Sequence, residues 1–352
     1  MQQIISIVST QMQLVNSIEY IKKHQAIDSY IRLIVCYSSE KRREQIDTII
    51  KLNCYTDVFD SISYISYDTR FSFLWYFYML WVKKKLRYLF SVQNFDICII
   101  GNYKSIYHRF CQYVCWRNNH SVHTVLVDDG TATADSVVLR QQEKKKHVIQ
   151  IPGLSRYLKI IYLLLDHSFK SFIPNHLTFF SIYDYLKYDE KDIFEKCNYT
   201  YLKQMSLNIL SDRNEYDLAI IGQPLGKEGI LKKERYCNVI NDFINSMCKD
   251  CSIIYIPHPV EDTMESLTPT LREKFHIERP GVPFEMWIIS SSIKSVVGYY
   301  SSALINIRIL CPDISVNSLY PKEIKESSSL FLQEAREAYS YQKQIGINVI
   351  EA

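Results

Sequence analysis

The stretch Thr124-Val125-Leu126-Val127-Asp128-Asp129-Gly130-Thr131 decides the reading of the chain. A run of strand-forming residues stops at two carboxylates and a glycine. Strands buried on both faces of a parallel sheet read as continuous apolar runs of this kind. In an open α/β sheet, ligands bind beyond the carboxyl ends of the strands. Asp128 and Asp129 stand where such a crevice opens, and Gly130 lets the backbone turn sharply. An Asp-Asp-Gly turn that only closes a buried strand fits the same residues, so the flanking sequence has to separate the two.

Working outward, Phe95–Ile100 (FDICII) is a second apolar run, ending at Gly101-Asn102 before a helical stretch over Ser105–Trp116. Earlier, Gln3–Ser9 and Ile31–Tyr37 read as strands, and Asp57–Ile65 as a third. Helices are expected between them: one opening at Thr10-Gln11 with Met12, Val15, Ile18 and Ile21 on one face, one over Glu40–Leu52, and a long aromatic one over Phe71–Leu89. Strands alternating with helices predict a parallel sheet covered on both faces. From Thr131 to Glu215 the alternation gives way to mostly helical stretches, read as an insertion over about 132–215. At Tyr216 the alternation resumes. Leu218–Ile221 runs into Gly222-Gln223-Pro224-Leu225, and a helix covers Leu231–Met247. Ser252–Ile256 runs into Pro257-His258-Pro259, and Pro283-Phe284-Glu285 opens another helix. Ser295–Tyr300 leads to Ser301-Ser302, Ile314–Leu319 is read as the last strand, and a helix follows over Pro321–Tyr341. The expected fold is α/β, with Rossmann-like domains at 1–215 and 216–352 facing each other across a cleft.

Bulk properties narrow the function. At 352 residues the chain exceeds what one core usually supports. A net charge of +3 gives no reason to expect a nucleic-acid partner. Basic residues cluster locally at Lys83–Arg87 and Lys144–His147, and Arg156–Phe172 mixes bases with bulky apolar residues. Such a segment can lie on an anionic membrane surface, or be a core-facing helix with a solvated basic edge. No apolar run reaches the ~18 residues of a spanning helix, and Ile4–Val8 is too short for a signal peptide. The ten cysteines lie mostly in apolar surroundings, and Cys248-Lys249-Asp250-Cys251 has no second pair for a zinc site. These features predict a reduced cytoplasmic protein, with peripheral contact to the inner face of the cytoplasmic membrane as a further expectation.

Four motifs now stand at strand ends in order: Asp128-Asp129-Gly130, His258-Pro259, Pro283-Phe284-Glu285 and Ser301-Ser302. With Ser9-Thr10-Gln11, Leu14-Val15-Asn16 and Gly222-Gln223-Pro224-Leu225, the set resembles the bacterial sialyltransferases of glycosyltransferase family 52. It is related by motif to the bacterial polysialyltransferases and the family 80 sialyltransferases. The resemblance covers residues 3 to about 310, and the stretch after Thr131 has no counterpart in it. It implies a GT-B glycosyltransferase that moves sialic acid from CMP-sialic acid, with inversion, to a hydroxyl of lipooligosaccharide, O-antigen or capsule. Asp128 is implied as general base. His258 is implied to assist CMP departure, and Gly222, Gln223, Pro259, Glu285, Ser301 and Ser302 to bind CMP alongside it. Thr10, Gln11, Asn102, Asp129 and Gly130 are implied to face the donor sugar or acceptor. No cofactor and no metal are expected. The expected partners are a CMP-sugar donor, a glycan acceptor carried on a lipid, and a second copy in a homodimer.

The chemistry suits these residue types. Attack by a hydroxyl on the anomeric carbon needs a carboxylate within hydrogen-bond reach. Asp129 either raises the proton affinity of Asp128 or simply caps the loop. A histidine donor beside the departing phosphate acts where charge develops. Ser301 and Ser302 open a helix, whose free N–H groups suit a phosphate, although plain N-capping explains them too. CMP leaves as a monophosphate, with no diphosphate for magnesium to clamp. The same motifs suit another CMP-activated nonulosonate, such as pseudaminic or legionaminic acid, or Kdo, and also a catalytically silent CMP- or sugar-binding protein.

Overall fold

The computed structural model describes residues 1–52, 55–66, 84–85, 94–130, 132–147, 149, 168–206, 216–225, 230–247, 251–259, 261–326 and 331–352. The chain divides into two units, Met1–Leu202 and Lys203–Ala352, a boundary earlier than the expected 215/216.

The first unit is built on seven parallel strands: β1 (Gln2–Val8), β2 (Ser29–Tyr37), β3 (Ser61–Ser66), β4 (Ile97–Ile100), β5 (His123–Val127), β6 (Thr178–Ser181) and β7 (Ile193–Lys196). Their order is β3-β2-β1-β4-β5-β6-β7. In β1, Ile4, Ile5, Ile7 and Val8 are all buried, so both faces of the strand are covered. This is why its sequence is a continuous apolar run. Hydroxyl side chains start the helices. Thr10 accepts from the Gln13 N–H to cap Gln11–His24, Ser39 caps Glu40–Ile50, and Ser105 caps Ile106–Asn118. Strand order reverses between β1 and β4, so the ligand crevice of this sheet lies beyond their carboxyl ends.

The expected helical insertion is corrected here. Residues 132–215 include the helix Ala132–Lys146 but also β6 and β7, which extend the sheet from β5. Neither strand is an unbroken apolar run: β6 reads TFFS and β7 reads IFEK. The expected helix Phe71–Leu89 lies outside the described residues, apart from 84–85. Of the segment Arg156–Phe172, only 168–172 are described. There Phe169 and Phe172 are buried against Tyr113, so these two aromatics serve the core and not a membrane surface. Among the described residues, no helix is long and apolar enough to cross a membrane. Cys36, Cys98, Cys111 and Cys115 are buried free thiols, whereas Cys251 is disulfide-bonded, against the expectation of reduced thiols throughout.

The second unit has six parallel strands in the order β10-β9-β8-β11-β12-β13. They are β8 (Leu218–Ile221), β9 (Ile253–Ile256), β10 (His276–Ile277), β11 (Ser295–Gly298), β12 (Ser315–Tyr320) and β13 (Asn348–Glu351). Its order reverses between β8 and β11. Two strands were not expected: β10, with only two residues, and β13 at the edge. The helix expected over Pro321–Tyr341 is two helices, Lys322–Lys325 and Phe331–Gln344, and Gly346 at φ 80° turns the chain into β13.

Buried ion pairs tie the helix Ala132–Lys146 to its neighbours. Arg140 donates to both carboxylate oxygens of Asp192 at 2.6 Å, and both side chains are 1% exposed. Asp192 also accepts from the Leu177 N–H, just before β6. Arg109 donates to Glu143, which accepts from the Tyr103 hydroxyl as well. Removing Arg140 leaves the buried Asp192 carboxylate with only the Lys144 ammonium, at 3.5 Å, to balance its charge. Arg140→Met is therefore expected to cost ~3–5 kcal/mol in a denaturant titration. Adding Asp192→Leu should recover a large part of that loss. A negligible cost of Arg140→Met alone would show that the pair does not hold this edge of the sheet.

Candidate functional site: two strand-end clusters

In the first unit the turns after β1, β4 and β5 converge. Successive side chains of a strand point to opposite faces, and the two carboxylates after β5 follow that rule. Asp128 turns toward β6. Its Oδ1 accepts from the Thr133 hydroxyl at 2.9 Å and its Oδ2 from the Ile182 N–H at 2.7 Å. Asn16 donates to its backbone carbonyl at 3.0 Å. Asp128 is only 3% exposed. Burial pushes its carboxyl up to about 7, opposed by hydrogen bonds from Ser181, Ile182 and Thr133.

Asp129 turns the other way and is half-buried. Asn102 donates to its Oδ2 at 3.1 Å and Thr10 to its Oδ1 at 3.5 Å. Burial raises this carboxyl too, and the polar groups of Gln13, Thr10 and Asn102 oppose the rise. The amide of Asn102 has one possible orientation, because its Oδ1 accepts from the N–H groups of Lys104 and Ser105. Gly130 sits at φ 62°, where a side chain would be strained, and its carbonyl accepts the Thr133 N–H that starts the next helix. Thr10, Asn102, Asp129 and Gly130 thus come together at one strand end. Gln11 does not join them, since its amide donates to the Gln45 carbonyl on a neighbouring helix.

The second unit gathers its motifs beyond β9, β8 and β11, which are neighbours in the sheet. Glu261, 4% exposed, is the hub of one cluster. It accepts from the Tyr255 hydroxyl and from the His258 N–H, and its own N–H donates to the His258 carbonyl. A Cβ at Gly222 would lie 2.2 Å from Glu261 Oε2 and 2.5 Å from the Tyr255 hydroxyl, so only glycine fits there. Tyr236 completes the cluster by accepting from the Gln223 N–H. A cavity of about 230 Å³ opens beside it, lined by Gln223, Pro224, Lys233, Tyr236, Glu261 and Ser266 among others. Burial, with Arg279 nearby, holds the His258 imidazole below its usual range. A neutral ring still carries one N–H donor. Pro259 is exposed on the same turn.

A second cluster joins Glu285 to the serine pair. Glu285 lies in the first turn of Phe284–Ile289, is 6% exposed, and accepts from Asn306 at 2.7 Å. Asn306 belongs to Ser302–Leu310, the helix that Ser301 caps by accepting the Ala303 N–H. Burial raises the Glu285 carboxyl, and Asn306 opposes the rise.

Sequence reasoning missed Thr133, Ser181, Glu261 and Asn306. For Glu261 a signal existed. A carboxylate three residues after His258 that reaches back to its N–H has the spacing of a capping box. Ser181 carried none, because the strand that places it was not expected.

The raised Asp128 carboxyl has a consequence for stability. A carboxyl with a folded-state value near 7 and an unfolded-state value near 3.8 binds more protons in the folded protein between those values. Stability therefore falls as pH rises through that window. Asp128→Asn removes the titration, so its melting temperature should gain on the parent's between pH 4 and pH 8. A difference that stays constant over this range would show that Asp128 ionises normally in the fold.

The comparisons with known proteins agree with this architecture. The family model described as Alpha-2,8-polysialyltransferase (POLYST) matches residues 4–320. That family is one of the relatives named with family 52 on motif grounds. No curated protein sequence matches the chain. Among solved structures, spinosyn forosaminyltransferase SpnP aligns over 100% of this chain and 86% of its own, at 9% identity and a TM-score of 0.54. A UDP-N-acetylglucosamine 2-epimerase aligns over 97% and 86%, at 10% identity and a TM-score of 0.54. The UDP-GlcNAc 2-epimerase of Neisseria meningitidis, bound to UDP-GlcNAc, aligns over 99% and 95%, at 10% identity and a TM-score of 0.52. At these identities the likeness concerns the fold, which is GT-B with two Rossmann-like units. With nine-tenths of its length inside the family match, the chain belongs to the alpha-2,8-polysialyltransferase family, a group of sialyltransferase-type glycosyltransferases.

Proposed function

We propose that the chain transfers sialic acid from CMP-sialic acid to a hydroxyl of a cell-surface glycan, with inversion and without a metal. The family's own description suggests the acceptor: a terminal sialic acid whose 8-hydroxyl attacks. The observation that carries the reading is the carboxylate pair at the end of β5, one buried and one half-buried in a grip of neutral donors. For a general base, reach comes before pKa. Sequence reasoning gave the role to Asp128, but that side chain is only 3% exposed, whereas Asp129, whose oxygens also accept hydrogen bonds, is half-buried. Asp129 is the better placed of the two to meet an acceptor hydroxyl, with Asp128 as its buried partner.

In this mechanism the acceptor oxygen attacks the anomeric carbon, Asp129 takes its proton, and the bond to CMP breaks. The departing phosphate gains charge. The N–H donor of His258 and the hydroxyls of Ser301 and Ser302 act where that charge develops. Glu285, oriented by Asn306, binds the ribose hydroxyls, and Gly222 and Gln223 line the nucleotide's approach.

The test follows CMP release and product linkage with CMP-sialic acid, CMP-legionaminic acid, CMP-pseudaminic acid and CMP-Kdo, each with a sialylated acceptor. CMP release with CMP-sialic acid and an α-2,8 product are expected. Release from none of the four would mark a silent binding protein. Asp129→Asn should lower turnover by about 10²–10⁴ while CMP still binds, and Asp128→Asn should lower it far less. The reverse ranking would return the base to Asp128. EDTA should leave the rate unchanged, and a large loss would overturn the metal-free reaction.

A further inference from the structure

The mechanism above makes no use of His108, a fully buried histidine in the first turn of the helix Ile106–Asn118. Both of its ring nitrogens are engaged. The Asn102 N–H donates to Nδ1 at 3.2 Å, and Nε2 lies 2.7 Å from the Ser9 hydroxyl. Because Nδ1 must accept, the ring proton sits on Nε2 and is donated to Ser9. One ring therefore spans the turn after β1 and the turn after β4, the two strands that flank the switch point. These same turns supply two donors to Asp129, Thr10, next to Ser9, and Asn102 itself, beside the polar group of Gln13.

We infer that His108 is a positioning residue for Asp129, holding the β1 and β4 turns so that Thr10 and Asn102 grip that carboxylate. The inference rests on Asp129 being the base. A second buried side chain locks the same turns. Gln13 accepts the Ser9 N–H at 2.7 Å, and a Cβ at Gly101 would lie 2.4 Å from its Oε1, so the β4 turn can close only with glycine there. A histidine kept only for packing would need no fixed tautomer. Here a protonated ring could not accept from Asn102, and burial keeps the ring neutral by pushing it down to about 3. The charged groups facing Asp129 are Asp128 on its own loop and Arg42 from the helix Glu40–Ile50.

The experiment is the pH profile of kcat/KM for the parent, His108→Gln and His108→Asn. The glutamine amide reaches about where Nε2 lies, so this variant keeps a partner for Ser9 and loses the one for Asn102. The asparagine oxygen reaches about where Nδ1 lies and keeps the acceptor for Asn102. Without its grip Asp129 holds its proton more tightly. His108→Gln should move the acid limb up by about one pH unit and lower kcat/KM at pH 7 by about tenfold. His108→Asn should keep the parental limb and stay within about threefold of the parental rate. Lowered melting temperatures with an unmoved limb in both variants would make His108 merely structural and overturn the inference. If His108→Gln does not fold, Ser9→Ala removes the other contact of the ring and should shift the limb in the same direction, while an unmoved limb there overturns it too. Failure of the underlying reading is distinguishable: Asp129→Asn would then keep parental turnover. An inactive Asp129→Asn with an unmoved limb in the His108 variants sinks only this inference.

Discussion

The first unit depends on a conflict at the end of one strand: two neighbouring carboxylates are drawn out of water, and the sheet's alternation sends them to opposite sides. Charges this close, in a poorly solvated place, resist joint ionisation. The fold resolves the conflict by division. Asp128 is taken inside, where the β6 end and Thr133 satisfy its oxygens and desolvation lifts its carboxyl to about 7. Asp129 stays near the surface, held by neutral donors from the turns after β1 and β4. Neutral donors stabilise the ionised form without cancelling its charge, which a salt bridge would do. The carboxylate so held keeps its basicity and its direction.

The second unit applies the same device with different residues. Glu261 is buried behind the His258 turn and shapes it through backbone hydrogen bonds, while Tyr255 and the glycine at 222 fit around that carboxylate. Glu285 and Asn306 do the same for the helix that Ser301 caps. In the second unit the His258 turn and the Ser301 helix each rest on a buried carboxylate, Glu261 and Glu285.

Much of this was legible in the sequence, and the limits have physical causes. The strands β1, β2, β4, β5, β8, β9 and β11 were readable because burial on both faces demands unbroken apolar runs. The residues at their carboxyl ends followed from the geometry of open sheets. The strands β6, β7 and β10 were not readable, because none is an unbroken apolar run: β6 reads TFFS, β7 reads IFEK and β10 has only two residues. Missing β6 had a cost at the site. Without it nothing in the sequence showed that Asp128 would be enclosed by Ser181 and Ile182. The different surroundings of the two carboxylates therefore became visible only in three dimensions. His108 was hidden for a related reason: it does its work through Ser9 and Asn102, residues far from it in sequence or out of helical step with it.

The central claim is that the carboxylate which governs the rate is Asp129. It is tested most directly by titrating the aspartate side chains of the protein by carboxyl carbon NMR and matching the curves to the acid limb of kcat/KM. The pair titrates as a coupled system, so assignment comes from which resonance each asparagine variant removes. The account predicts that the kinetic limb coincides with the resonance missing from Asp129→Asn, while the resonance missing from Asp128→Asn titrates near pH 7. A kinetic limb that tracks the Asp128 resonance instead would contradict it.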